Sequence, residues 1–348
     1  MATAWESEAH KGSGTVRTPT EATASRPISR RDFLKLGGTG LAGMALLGAI
    51  GCGGPGASYP TRPVELIIPF GPGGAADISA RKLADLAKDG LGQEIQGQNI
   101  PGGGGAVAYN QVRNAQPDGH TVIWSSGALN TLAATGNIDF TYEAFKHAAI
   151  VATETVTLAV KSDAPWQNLE EFMQAAKSQK MSVGNSGLGS FTHITSFALA
   201  DAAGVSFEYV PFGDILAVTQ VLGGQIDASV QHPAEILEQL EAGKIRLLTL
   251  TSPEPIEAFE GVPTAREQGY DVVMTQWRGL SVPQETPDDV VQKLENTFTK
   301  AANGEEWKKF ADSIGSQPQV MGSDEMTGFI ADQFKQIQDL VARMEGGG

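Results

Sequence analysis

From Arg62 onward, short apolar runs bounded by turn residues alternate with stretches of helical periodicity, an order that predicts α/β layers with mostly parallel strands. Val64 to Phe70 reads as the first strand and Ala75 to Lys88 as the first helix. Thr121–Trp124, Met181–Gly184, Phe207–Val210, Ile226–Val230 and Ile245–Leu250 read as further strands, each short, apolar and followed by turn residues. Asn168 with Glu171 three residues later has the form of a capping box ahead of Phe172 and Ala175. Thr286-Pro287-Asp288-Asp289 supplies an N-cap, a proline at the first helical position and acids in the first turn. Met326, Phe329, Ile330, Ile337, Leu340, Val341 and Met344 keep helical spacing, which predicts a long amphipathic helix packed on the body.

Gly71-Pro72-Gly73-Gly74-Ala75-Ala76-Asp77 joins the first strand to the first helix. The amides that open a helix lack intrahelical partners, so this turn is a ready anion cradle, and its glycines let a ligand approach the backbone. Two other readings stay open. The turn is also compatible with a merely tight connection in which Asp77 caps the helix, and with the relaxed dinucleotide pattern G-x-G-x-x-A, with Glu94 near the place of a ribose-binding acid. Asn99 to Ala106 forms a second glycine-rich turn ahead of a helix, and Ser125-Ser126-Gly127 a third turn after a strand. Gly184 to His193 is a fourth, containing Ser186, Gly189, Ser190 and Thr192. Turns from separate segments in this way can face one crevice.

Chemistry of the catalytic kind has no visible constellation. Ser186 is not a nucleophile elbow, because G-x-S-x-G needs glycine where Leu188 stands. Five spaced histidines and one cysteine offer no zinc-ligand pattern, and no P-loop lysine follows a glycine turn. No metal and no cofactor are therefore expected, and His193 reads as a helix-face residue near the crevice. The formal net charge is −15, which argues against nucleic acid and anionic membrane surfaces as partners. An anionic ligand has to be held by local dipoles against that field.

The amino-terminal segment has an export layout. Ser29-Arg30-Arg31-Asp32-Phe33-Leu34-Lys35 precedes a weakly apolar, glycine-interrupted stretch from Leu36 to Ile50, the pattern of a twin-arginine signal, too short for a comfortable transmembrane helix. A buried amino-terminal helix is the competing reading. Ala49-Ile50-Gly51-Cys52 resembles a lipoprotein processing box, so residues 1–51 are expected to be removed, Cys52 lipidated, and residues 52–58 left as a tether to the membrane. The first 51 residues contribute +2, so the remaining 297 stand at −17.

Several ordered fragments resemble the solute receptors of the tripartite tricarboxylate transporters. They are Tyr59-Pro60-Thr61-Arg62-Pro63-Val64, Ile67 to Gly74 and Asp77 to Arg81, then Asn99 to Gly105, Pro117 to Thr121 and Gly184 to His193. Val210-Pro211-Phe212, Leu222 to Asp227, Ala242 to Arg246 and Val262 to Thr264 continue the series. The resemblance implies a two-lobed, periplasmic-binding-protein-like (Venus flytrap) fold closing on a small organic carboxylate, which is handed to membrane permease subunits. It implies lobe I at 59–160 and 277–348 and lobe II at 161–276, with no enzymatic activity. By the same resemblance the ligand is held by Gly73, Gly74, Ala75, Ala76 and Asp77, by Ser125, Ser126 and Gly127, by Ser186, Gly189, Ser190 and Thr192, and by the turn at Phe212 to Asp214. That last turn departs from many relatives, which carry a longer one. Asp214 either caps the following helix or favours a ligand with a donor or cationic group. The competing functional readings are an exported dinucleotide-dependent oxidoreductase and a scaffold or adhesion lipoprotein.

Overall fold

The computed structural model describes residues 59–346 apart from residue 214. The export signal, the tether, Cys52 and Asp214 lie outside the described residues. The chain begins with β1 (Val64–Ile68), α1 (Ala75–Leu91), β2 (Ile95–Asn99), α2 (Ala106–Arg113), β3 (Thr121–Ser126), α3 (Ala128–Ala134) and β4 (Phe145–Thr155). It continues with β5 (Thr157–Lys161), α4 (Leu169–Ala176), β6 (Met181–Asn185), α5 (Phe191–Ala203), β7 (Phe207–Pro211), α6 (Val218–Leu222), β8 (Ala228–Gln231), α7 (Leu237–Glu241) and β9 (Ile245–Leu250). It returns through β10 (Thr275–Pro283), α8 (Asp288–Ala302), α9 (Glu305–Ser313), β11 (Ser316–Gln317) and α10 (Ser323–Gly346).

Two sheets result. The first has the order β11-β4-β10-β3-β1-β2 and the second β7-β6-β8-β5-β9. β1 pairs in parallel with β2 and β3, and β6 in parallel with β7 and β8, each link carrying a helix on the face of its sheet. A strand covered on both faces reads as a continuous apolar run, which is why Leu66, Ile67 and Ile68 are all fully buried. Ala80, Leu83 and Ala87 of α1 pack with Val291, Leu294 and Phe298 of α8 in the first core. Phe172, Ile194, Leu199 and Val230 anchor the second.

The chain changes sheets at Val156, ahead of the expected boundary after residue 160, and returns between β9 and β10. At this crossing Thr251 binds both passing segments: its hydroxyl donates to Met274 O (2.7 Å) and accepts from Val156 N (3.1 Å), and its amide donates to Val156 O (2.9 Å). α10 spans the division as well. Met326 and Ile330 pack with Ile150 and Trp277 beside the first sheet, whereas Ile337, Leu340 and Val341 join the second core.

Local signals acted much as expected at Asn168, whose side chain caps α4 by accepting from Glu171 N at 2.9 Å; Glu171 bonds back to Gln167 N, one residue outside the usual box. Thr286 does not cap α8. The N-cap is Pro287, the helix opens at Asp288, and the Thr286 hydroxyl is buried without a partner. β8 starts at Ala228, leaving Ile226 in the preceding turn. Among the described residues no helix is long and apolar enough to cross a membrane, and no group of three or more His, Cys, Asp or Glu side chains forms a metal cluster.

Candidate functional site

The turn after β1 sits at the carboxyl edge of the first sheet. Gly73 has φ +81°, open only to glycine without strain, and Gly74 is the N-cap of α1 in extended backbone. Asp77 N and Ile78 N bond back to Gly74 O, while the Gly73 amide is taken by Asp77 Oδ2 at 3.0 Å. The amides of Gly74, Ala75 and Ala76 find no partner among the described residues. Asp77 thus tightens the turn from behind. Its other oxygen accepts from Arg81 Nε (2.7 Å) and Asn99 Nδ2 (2.9 Å). Burial works to raise its pKa, but the Gly73 amide, Asn99 and Arg81 together hold it below the usual carboxylate range.

The turn from β6 to α5 approaches from the second sheet. Ser190 caps α5 by accepting from His193 N at 3.3 Å, and the Ser186 amide donates to Thr192 Oγ1 at 2.9 Å. Thr192 in turn donates to Ser186 Oγ at 3.2 Å, leaving the Ser186 hydroxyl proton free for a further acceptor. Asn185 Oδ1 accepts from Gly187 N at 2.9 Å, which fixes the amide so that Nδ2 is the unpartnered end. His193 Nδ1 accepts from Gly189 N at 3.1 Å, and burial depresses the histidine pKa, so the ring is a neutral structural brace.

These two turns share one cavity of about 260 Å³. Phe70, Phe191, Ile215, Leu216 and Ala217 give it an apolar wall, and Asn185, Gln231, His232, Glu235, Gln276 and Arg278 a polar one. Of the residues singled out in the sequence, Gly73, Gly74, Ala75, Ala76, Ser186, Ser190 and Thr192 line it. The others stand behind it. Gly127 N is held by Gln276 Oε1 at 2.6 Å, Ser126 N by Tyr109 OH at 3.0 Å, and Ser125 Oγ lies 3.3 Å from the same hydroxyl. Gly189 faces Asn137, and the Phe212 ring packs with Val210, Ala217 and Ile226, while its neighbour Gly213 reaches the cavity.

The charged wall was not read from sequence. Arg278 of β10 makes a bidentate ion pair with Glu154 of β4 at 3.0 and 2.7 Å, both side chains buried, and Ser316 Oγ donates to the same carboxylate at 3.2 Å. Burial alone would raise the Glu154 pKa, but the Arg278 guanidinium and the adjacent His232 drive it far below the usual range. His232 Nδ1 stands 3.2 Å from Glu154 Oε2, off the line of a hydrogen bond, so the contact is one of proximity. Two sequence neighbours, Gln231 and Glu235, are linked through Gln231 Nε2 to Glu235 Oε2 at 3.1 Å.

Glu94 cannot serve a dinucleotide at this turn. It precedes β2, and β1 runs parallel to β2 with Ile68 opposite Asn99, so Glu94 lies at the far edge of the sheet.

Two sheeted halves joined by crossing strands, with unpaired helix-opening amides walling the cavity between them, define a solute-binding receptor of the periplasmic class. The chain belongs to the tripartite tricarboxylate transporter receptor family (TctC), whose description, "Tripartite tricarboxylate transporter family receptor", matches residues 79–345. It is 29% identical over 322 residues to the UPF0065 protein in the gbd 5′ region of Cupriavidus necator, covering 91% of this chain and 98% of that one. Among solved structures, a TctC solute binding protein from Polaromonas is 31% identical, with a TM-score of 0.66 and coverage of 82% and 99%. MatC from Rhodopseudomonas palustris, solved with bound malate, is 26% identical, with a TM-score of 0.76 and coverage of 81% and 100%.

Proposed function

We propose that this receptor captures a small carboxylate-bearing metabolite outside the cytoplasm and delivers it to the membrane permease of a tripartite tricarboxylate-type transporter. One observation carries the reading: the free amides of Gly74, Ala75 and Ala76 open onto the same cavity as the Ser186 to Thr192 turn. A helix terminus contributes roughly 0.3–1 kcal/mol to a bound anion, and up to about 2 kcal/mol when partly buried. Micromolar affinity corresponds to about −8.2 kcal/mol, so hydrogen bonds from Ser186 and Asn185 and burial against Phe70 and Phe191 supply the remainder. Malate on MatC is the same class of ligand. Lipidation of Cys52 would keep the receptor beside its permease.

Equilibrium dialysis and thermal-shift screening against di- and tricarboxylates, aromatic acids and acidic amino acids test the proposal. Binding of at least one acid is expected, with native mass spectrometry of protein from its host finding a small acid bound and diacylglycerol on Cys52. A silent panel with no co-purified acid would remove the receptor reading, and an unmodified Cys52 thiol the anchor.

A further inference from the structure

Glu235 puts an uncompensated carboxylate oxygen into a cavity otherwise suited to anions. Its Oε2 accepts from Gln231 Nε2 at 3.1 Å and from His232 N at 3.4 Å, whereas Oε1 has no partner among the described residues. Oε1 reaches across from the second half to the first: a methyl group built on Gly74 would sit 3.8 Å from it. The carboxylate therefore stands beside the free amides at the head of α1.

Arg278 does not offset this charge. Its guanidinium is already neutralised by Glu154, so no arginine or lysine of the described lining is left to pair with Glu235. A plain carboxylate entering the amide cradle would meet Glu235 at close quarters, in a site where water is displaced and repulsion is poorly screened. A second, independent feature asks for an acceptor. Asn185 is 1% exposed, its Oδ1 is bound to Gly187 N, and its Nδ2 is buried at the cavity wall without a partner. A buried donor left unpaired in this way is a standing cost that a ligand oxygen relieves.

We propose that the solute is a zwitterion, an amino acid whose carboxylate takes the α1 amides and Asn185 Nδ2 while its ammonium group lies against Glu235 Oε1. The inference rests on the receptor reading and narrows it. A carboxylate and an ammonium group one carbon apart match the adjacency of the amide cradle and Glu235, and the pair adds no net charge to an acidic site. Phe70, Phe191 and Leu216 then face the body of the amino acid.

The test uses the full-length chain and three matched pairs: aspartate with succinate, leucine with isocaproate, and phenylalanine with phenylpropionate, titrated calorimetrically. In the pair that binds, the amino form is expected to bind at least about tenfold more tightly, since a site built to pair a polar group rejects the analogue that lacks it. Glu235→Gln, which keeps the side-chain shape, should reduce that ratio to about threefold or less, the charge being what holds the ammonium group. Asn185→Leu should weaken both members of the pair alike. A plain acid bound as tightly as its amino partner by the wild-type protein, or a ratio unchanged in Glu235→Gln, overturns the inference and leaves the receptor reading standing. Should the variants fail to fold, the wild-type ratio alone decides it. If no member of any pair binds and no small acid co-purifies, the receptor reading falls with it.

Discussion

His147 shows how far one buried side chain on β4 can tie stability to pH. Its Nε2 lies 3.1 Å from Tyr142 O and its Nδ1 2.8 Å from Ser281 Oγ. A carbonyl only accepts, so the proton sits on Nε2 and Nδ1 accepts from the serine. Burial lowers the pKa from 6.5 to about 4, with the Tyr142 carbonyl acting the other way. The unfolded chain therefore takes up a proton near pH 6.5 that the folded protein refuses until about pH 4. Stability is full above pH 6.5 and falls on acidification between those values, by about 3 kcal/mol from this group. Urea unfolding across that window should show the decline in the wild type and a shallower one in His147→Gln. An identical slope in the variant would refute the assignment.

At the scale of elements, the seam between β4 and β10 is the tightest backbone approach in the first sheet that a single substitution can probe. A Cβ on Gly279 would stand 2.5 Å from Ala149 O and 2.9 Å from Met326 Cε, and the carbonyl is part of the sheet and cannot swing away. Gly279→Ala should cost about 1–3 kcal/mol through forced separation of the strands. Gly328→Ala on α10 meets nothing within 4 Å and should stabilise by about 0.5–1 kcal/mol. Chemical denaturation reads both, and a Gly279→Ala protein as stable as the wild type would contradict the packing. This seam was also the least legible part of the sequence. β4 flanks its apolar centre, Ala148 to Ala152, with Lys146, His147 and Glu154, and β10 is interrupted by Arg278; Glu154 and Arg278 are buried only because they meet across the sheet. β2 reads Ile-Gln-Gly-Gln-Asn, the composition of an edge strand, and escaped notice for that reason. By contrast, β1, β3, β6, β7 and β9 and the turns that follow β1 and β6 announce themselves locally, through apolar runs and through glycines where helices open. The cavity divides the same way: its amide wall was visible in sequence, while Arg278, Gln231, His232 and Glu235 come together only when the two sheets do.

For the molecule as a whole, charge sets the terms on which a ligand arrives. The chain carries −15, and Arg278, the one arginine or lysine in the cavity's described lining, is already paired with Glu154, so an anionic acid approaches against the far field and is held by the amides and other neutral donors once inside. Salt shortens the reach of that field, from a Debye length of ~30 Å at ~0.01 M to ~8 Å at ~0.15 M, while leaving the buried hydrogen bonds nearly untouched. Affinity for a dianion should therefore rise with salt over this range, by about threefold, the reverse of a receptor that holds its ligand with lysines and arginines. The rise should appear as a faster association rate, because repulsion acts on the encounter and short-range bonds govern release. A zwitterion of the same size, having no net charge, should show almost no dependence. Stopped-flow tryptophan fluorescence with succinate and aspartate at two salt concentrations would separate these behaviours. Weaker succinate binding at the higher salt would mean that a positive side chain, rather than the amides at the head of α1, holds the carboxylate.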